Sequence, residues 1–358
     1  MMVKKRIGLL TSGGDCPGLN AAIRGVAKAS YGMFDCTIIG IKDGFKGLIH
    51  GQYQTMTPKD FSGILIRGGT ILGTSRTPFK KMRKIEEDGI DKVQKMRETY
   101  KKLNLDCLVV LGGNGTHKNA NLLREEGLQV IALPKTIDND IWGTDESFGF
   151  HSAVNIATDV IDRIHTTADS HDRVMLVELM GHKAGWLTLH AGIAGGADVI
   201  LIPEIPYHTD KVLEALRIRH QTKNFSILAI AEGALSQKEF HMKRKQVKRE
   251  REKLKCPSVS YCLADEIRDK LGLETRVTVP GHQQRGGSPS PYDRVLATKL
   301  GAYAAKLIKE ENYGNAISIV NNDIKATPLG EVAGKLKLVD EENVLIQTGK
   351  LIGVSFGE

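Results

Sequence analysis

The segment PKTIDND at residues 134–140 carries two carboxylates two residues apart, Asp138 and Asp140, with Thr136 just before them. The apolar run LQVIAL leads straight into it. A buried strand is therefore expected to deliver Thr136, Asp138 and Asp140 to its carboxyl end, where α/β sheets place their chemistry. Two carboxylates at that spacing can divide two jobs: one accepts the proton of a hydroxyl, and the other holds a magnesium ion. The segment alone does not assign those jobs.

Four other segments read as phosphate-holding elements. In LLTSGGDCPGLNAAIRG (9–25) a strand ends in a Gly13–Gly14 turn and a helix begins near Pro17 and Gly18. Backbone N–H groups of such a turn, with the helix N-terminus behind them, favour anions, although two glycines also make a plain tight turn. It is not a Walker A motif, because no GKS or GKT follows. In VVLGGNGTHKNANLL (109–123), Gly112, Gly113 and Gly115 let backbone approach phosphates closely, and a helix is expected from Thr116. The loop RGGTILGTSRTP (67–78) brings Arg76, an arginine placed to bridge phosphates of two ligands; its plainer reading is a surface ion-pair partner. The loop PGHQQRGGSPSPYDR (280–294) sets His282 and Arg285 three residues apart, a pair that suits a phosphate monoester, although the loop also makes a plain connection into a helix.

The elements that must position these residues alternate along the chain. Short apolar runs such as RIGLLT, DCLVVL, RVMLVEL, DVILIPEI, FSILAIAEG and TRVTVPG are separated by amphipathic stretches such as LNAAIRGVAKAS, AGWLTLHAGIA and SYCLADEIRDKL. Strands of five to seven residues alternating with helices mean mainly parallel sheets covered on both faces. The number of strands, and a length of 358 residues at roughly 150 per domain, predict two doubly wound α/β domains. Two segments read as exposed helical insertions: KKMRKIEEDGIDKVQKMRETYKK (80–102) and a basic stretch at 238–255.

Composition narrows the classes. No apolar run approaches the ~20 residues that span a bilayer, so no membrane role is expected. Five scattered cysteines, Cys16, Cys36, Cys107, Cys256 and Cys262, lack metal-ligand spacing and read as reduced cytoplasmic thiols. The net charge of +8 is concentrated in KRKQVKREREKLK (243–255). Glutamates interrupt that run and no aromatic residue is interleaved for stacking on bases, so it reads as a solvated helix rather than a nucleic-acid surface.

Taken in order, TSGGDCPGLNAAIRG, the GGNGT turn, TIDND, HDRVMLVELMGH, AGGAD, the AEG after a strand, and GHQQRGGSPSPYDR resemble the 6-phosphofructokinase family, of the phosphofructokinase A type, from about residue 5 to about residue 335. The resemblance implies two Rossmann-like domains with the active site in the cleft between them: a phosphoryl-donor domain of residues 1–149 plus about 285–335, and a fructose 6-phosphate domain of about 150–284 plus 336–358. It implies magnesium-dependent phosphoryl transfer to the 1-hydroxyl of fructose 6-phosphate in glycolysis. Asp138 is then the base, with Thr136, Asp140 and Arg76 beside the transferring group. Gly14, Arg76, Gly112, Gly113, Asn114, Gly115, Thr116 and Lys135 meet the donor, and Asn114 and Asp140 lie on the metal side. Met180, Gly181, His182 and Glu232 meet the sugar, together with Thr136 and Asp138. Arg173, Arg276, His282 and Arg285 hold the 6-phosphate, with the residues matching Arg173 and Arg276 coming from a neighbouring subunit. That sharing implies a homo-oligomer, a tetramer or a dimer.

Three positions depart from the family pattern. Asn114 replaces an aspartate that helps bind the metal; its amide coordinates through oxygen but carries no charge. Lys135 stands where ATP users carry glycine, a pattern of pyrophosphate users and of a mixed group. His182 stands where arginine is usual. Gly115, where pyrophosphate users place aspartate, leaves room for the α-phosphate of a nucleotide. The expectation is an ATP-dependent enzyme with a mixed donor site, with pyrophosphate as the alternative donor. Asn114 and His182 also leave open a catalytically weak regulatory subunit. Other kinases with a GGDG-type turn, the NAD and lipid kinases, lack TIDND and GHQQRGG. Arg24, Lys28 and Lys223 resemble part of the family's effector site, with His165 in place of arginine and Asp198 as a holder of the effector's magnesium.

Overall fold

The computed structural model describes residues 4–358, which divide into two compact units, one running up to Ser152 and including Arg285–Lys337, the other formed by Ala153–Gln284 and Leu338–Glu358. In chain order the strands are β1 Lys5–Ser12, β2 Cys36–Ile41, β3 Tyr53–Met56, β4 Cys107–Gly112, β5 Val130–Pro134, β6 Val174–Leu179, β7 Val199–Leu201, β8 Ser226–Ala231, β9 Thr275–Thr278, β10 Asn315–Val320 and β11 Asp323–Pro328.

The first unit is built on a sheet of order β11-β10-β5-β4-β1-β2-β3. Its central strands β1, β4 and β5 pair in parallel. Every residue of β4 and β5 is buried, which is why CLVVLG and VIALP are continuous apolar runs. The edges are antiparallel: β3 pairs with β2 and β11 with β10. Both edge strands carry polar, exposed residues, which blunts them against pairing with other chains. Strands β2, β3, β10 and β11 are not among the runs picked out from the sequence; β3 and β11 lack the apolar continuity that marks a central strand.

Helices Leu19–Met33 and Pro291–Lys309 pack closely against each other in this unit. Their closest approach is made by glycines: a Cβ at Gly25 would come within 2.8 Å of the Thr298 carbonyl oxygen, and one at Gly301 within 2.5 Å of that of Ala22. This contact seats the late helix Pro291–Lys309 against the helix that follows β1. The segment 80–102 is not one exposed helix. A short 3-10 turn at Phe79–Lys81 is followed by irregular chain, and the helix Lys92–Lys102 buries Val93, Met96 and Tyr100 in the core.

The second unit has an all-parallel sheet of order β7-β8-β6-β9. Helices Trp186–Ala194, Thr209–His220 and Val259–Leu271 pack on it. The C-terminal segment adds a bridge, the Ile200 N–H donating to the Ser355 carbonyl at 2.9 Å.

One buried carboxylate fastens the GGSPSPYDR segment into the first unit. Asp293 is fully buried and accepts from Gly149 N–H at 3.0 Å, Ser152 N–H at 2.7 Å and the Ser152 hydroxyl at 2.6 Å. Truncation strands those donors. Asp293→Ala is expected to cost about 3 kcal/mol, since each buried donor left unpaired costs ~1–3 kcal/mol. Urea denaturation checks this; an unchanged midpoint would show that water replaces the carboxylate.

Candidate active site

The site in the first unit grows from three neighbouring strand ends. After β1 the chain turns at Gly13, whose φ of +89° favours glycine. Gly13 N–H donates to the Ser75 carbonyl at 3.0 Å, and its own carbonyl accepts from the Thr74 hydroxyl at 2.7 Å. The polar loop 67–78 is thus stitched to the glycine turn. Gly14 lies against the end of the Arg285 side chain: a Cβ there would meet Nη1 at 2.8 Å. That guanidinium donates to the Asp15 carbonyl at 3.2 Å, while its buried Nε has no hydrogen-bond partner. Among the described residues Arg285 has no carboxylate partner either, so it presents an unanswered positive charge beside the turn.

At the end of β4 the helix begins at Asn114, two residues earlier than the sequence suggested. Gly112 makes room for Thr116, whose side chain would lie 2.3 Å from a Cβ at 112. The Thr116 hydroxyl reaches the Ser12 carbonyl at 3.4 Å, joining this turn to β1. A Cβ at Gly115 would meet nothing within 4 Å, so this glycine faces open space. The Asn114 amide donates to the Lys335 carbonyl. His117 is buried beneath the turn, with Nδ1 3.0 Å from the Gly113 carbonyl, and burial pushes its pKa down to about 4. Only an Nδ1–H tautomer can donate to that carbonyl.

β5 delivers Lys135 and the TIDND residues. Lys135 is buried; its N–H donates to the Gly112 carbonyl at 3.1 Å and its ammonium to the Gly14 carbonyl. Burial lowers its pKa, with Arg285 acting the same way, while Cys16, Asp138 and Asp140 oppose. Asp138 N–H donates to the Thr136 hydroxyl at 3.1 Å. Asn139 takes a left-handed φ of 49°, and its side-chain oxygen accepts from Ser147 N–H at 3.0 Å. The Ser147 hydroxyl in turn donates to the Thr136 carbonyl at 2.9 Å, so the loop is held from behind. Asp140 is buried, and burial followed by the neighbouring Asp138 charge raises its pKa to about 6.

Two carboxylates crowded in this way suit a divalent cation with oxygen ligands. No group of three or more His, Cys, Asp or Glu able to hold a metal occurs among the described residues. That is compatible with magnesium, which takes one or two carboxylates and completes its shell with water and phosphate oxygens.

Of the residues expected to act together, Gly14, Gly112, Gly113, Asn114, Gly115, Thr116, Lys135, Thr136, Asp138, Asp140 and Arg285 cluster at these strand ends. Among the described residues no hydrogen bond or ion pair joins Arg76 to them; it is exposed and lines a small cavity with Lys46, His50 and Thr77. In the second unit Arg173 and Arg276 stand on the paired strands β6 and β9 and share Glu274, Arg173 at 3.1 Å. Met180 N–H donates to the Gln284 side chain at 3.3 Å, and His182 N–H to Glu232 at 2.9 Å. His282 is exposed on the 3-10 turn Gly281–Arg285. Asp198 is already committed: it pairs with Arg219 at 2.8 Å and accepts from Ile227 N–H at 2.9 Å, which leaves it poorly placed to hold an effector's cation.

Sequence reasoning missed Lys337. Its N–H donates to the Asp140 carbonyl at 3.0 Å and its ammonium to the carbonyls of Thr144 and Asp145 at 2.9 and 2.6 Å. Burial brings its pKa down to about 8, against the pull of Asp145, Glu146 and Asp140. Nothing in the spacing of KLKLV points to a segment nearly two hundred residues earlier.

Glycine turns at the ends of β1 and β4, beside the buried Lys135 and Asp140 that follow β5, form a site suited to phosphate in an α/β protein. The family model for phosphofructokinase matches residues 6–308. A Spirochaeta thermophila ATP-dependent 6-phosphofructokinase is 57% identical over 99% of this chain and 98% of its own length. An Amycolatopsis methanolica pyrophosphate–fructose 6-phosphate 1-phosphotransferase is 43% identical over 94% of this chain and 97% of its own. The crystal structure of Pichia pastoris phosphofructokinase in the T-state superposes with a TM-score of 0.78 at 33% identity, covering 93% of this chain, which spans 36% of that longer one. The chain belongs to the phosphofructokinase family.

The buried neutral His117 has a pH consequence. Its folded pKa lies below the ordinary value of 6.5. The stability it confers is full above that value and is lost as pH falls from about 6.5 towards about 4, because the unfolded chain then binds a proton that the folded one refuses. The expected loss across that window is about 2–3 kcal/mol. Urea denaturation between pH 7 and pH 4.5 should show His117→Leu less sensitive to acid than the parent; parallel curves would remove His117 as the cause.

Proposed function

We propose that this chain transfers the γ-phosphoryl group of ATP to the 1-hydroxyl of fructose 6-phosphate, giving fructose 1,6-bisphosphate and ADP. The observation that carries this reading is the convergence of the β1, β4 and β5 ends on Lys135, with Asp138 and Asp140 directly beyond it. Asp138 takes the hydroxyl proton as the sugar oxygen bonds to the γ-phosphorus. The bond from that phosphorus to the β–γ bridging oxygen breaks, and ADP leaves. Such loose transition states ask chiefly for positioning and charge stabilisation. The turns at Gly13–Gly14 and Gly112–Thr116, with the Lys135 ammonium, hold the donor phosphates. Magnesium, held by Asp140 with Asn114 close by, would neutralise charge on the phosphates.

Met180, Gly181, His182 and Glu232 contact the sugar, and Arg173, Arg276, His282 and Arg285 hold its 6-phosphate. The buried, partnerless Nε atoms of Arg173 and Arg285 support the assignment of these two to an anion. Arg173 and Arg276 are proposed to serve a neighbouring subunit of a homotetramer. All five cysteines are free thiols, which fits the cytoplasm. Among the described residues no helix is long and apolar enough to cross a membrane.

Lys135 favours a second reading in which pyrophosphate is the donor, since a buried point charge replaces part of the work of a metal. A donor screen on the purified protein separates the two: turnover with ATP is expected, and turnover with pyrophosphate alone would overturn ATP. Absence of turnover with either donor would support a regulatory subunit. Gly115→Asp sharpens the test. The open space at this position means the variant should fold normally while losing ATP turnover by at least ~100-fold, because an added carboxylate repels the nucleotide phosphates. Asp138→Ala should lower kcat by roughly 10²–10⁴-fold with fructose 6-phosphate binding retained. Near-parental turnover would remove the base.

A further inference from the structure

The basic helix Arg244–Lys253, read from sequence as a solvated charged face, borders a cavity of about 880 Å³ in the second unit. Its lining includes the apolar side chains of Pro203, Leu235, Met242, Val247 and Cys256, together with His182 and Glu232. Val247 is buried beneath the helix. Arg251, one turn on, grips Glu239 through two nitrogens at 2.7 and 2.8 Å and donates to the Ala234 carbonyl at 3.1 Å. A two-pronged guanidinium–carboxylate contact fixes orientation as well as charge. The helix is therefore anchored, and its anchoring turns Arg244, Lys245 and Lys248 to the cavity.

These cations are not equally engaged. Lys248 lies 3.8 Å from Glu252. Arg244, Lys245 and Lys183 have no carboxylate partner among the described residues, yet all three line the cavity. Arg244, Lys245 and Lys183 are exposed, and like charges gathered at one recess draw anions to it, with an attraction that salt screens. On the function proposed above, the anion that must come to His182 and Glu232 is a sugar phosphate.

We propose that Arg244 and Lys245 are specificity-determining residues that draw in and retain the phosphorylated acceptor sugar beside His182 and Glu232. This inference rests on the fructose 6-phosphate reading. The test is steady-state kinetics of Arg244→Gln/Lys245→Gln beside a control of equal charge loss, Arg249→Gln/Lys253→Gln, whose positions do not line the cavity. Thermal unfolding confirms that both fold. At low ionic strength the first variant is expected to raise the KM for fructose 6-phosphate about five- to tenfold, with kcat and the KM for ATP unchanged; the gap should close as salt screens the charges. The control should match the parent. An unchanged fructose 6-phosphate KM in the first variant, or an equal rise in both, overturns the inference while leaving the activity standing. A parent protein with no fructose 6-phosphate turnover overturns the proposed function itself, and this inference with it.

Discussion

A buried ammonium ion must be answered on the spot, and in the first unit Lys135 sets that condition. Its charge sits where burial disfavours it, and its acceptor is the carbonyl of Gly14 at the end of a different strand. A lysine in such a place holds only if acceptors and opposite charges converge on it. The convergence is achieved by backbone. The N–H of Lys135 is pinned to the Gly112 carbonyl, Thr116 reaches the Ser12 carbonyl, and loop 67–78 is stitched to Gly13. Three strand ends are thereby locked into one surface.

The carboxylates are the other half of that balance. Asp140 is raised by burial and by Asp138, and lowered by Lys135 and Lys337. Each partner's charged form depends on the others, so the four groups behave as a unit. The arrangement needs cationic charge close to two crowded acids, and two lysines already supply part of it. At Asn114, by contrast, the side chain is an uncharged amide whose Nδ2 donates to the Lys335 carbonyl.

Much of this was legible in residue order. Fully buried strands announce themselves as apolar runs, and the residues after them identify the strand ends, so the parallel cores around β1, β4, β5, β6 and β8 could be read directly. The edge strands β3 and β11 could not: half-exposed antiparallel strands need no continuous apolar run. The glycines were read as one kind of signal, but the structure separates them. Gly112 accommodates Thr116, Gly14 accommodates Arg285, and Gly115 borders open space. Lys337 was invisible because its role comes from hydrogen bonds to carbonyls of a remote loop, which leave no mark on its neighbours.

The two uses of positive charge in this chain follow opposite physical rules. Lys135 is costly to bury, and its value lies in being fixed: the ammonium cannot move without stranding the Gly14 carbonyl it serves. Arg244 and Lys245 cost little, because they remain hydrated at the mouth of a cavity, and their reach is set by ionic strength rather than by hydrogen-bond geometry. A run of basic residues on an inserted helix therefore cannot be judged from its charge count. What distinguishes this one from a merely solvated face is the pair of inward anchors, Val247 and Arg251. With the Arg251–Glu239 fork in place, the same spacing that looks featureless in the sequence directs Arg244, Lys245 and Lys248 to a cavity whose lining also includes His182 and Glu232.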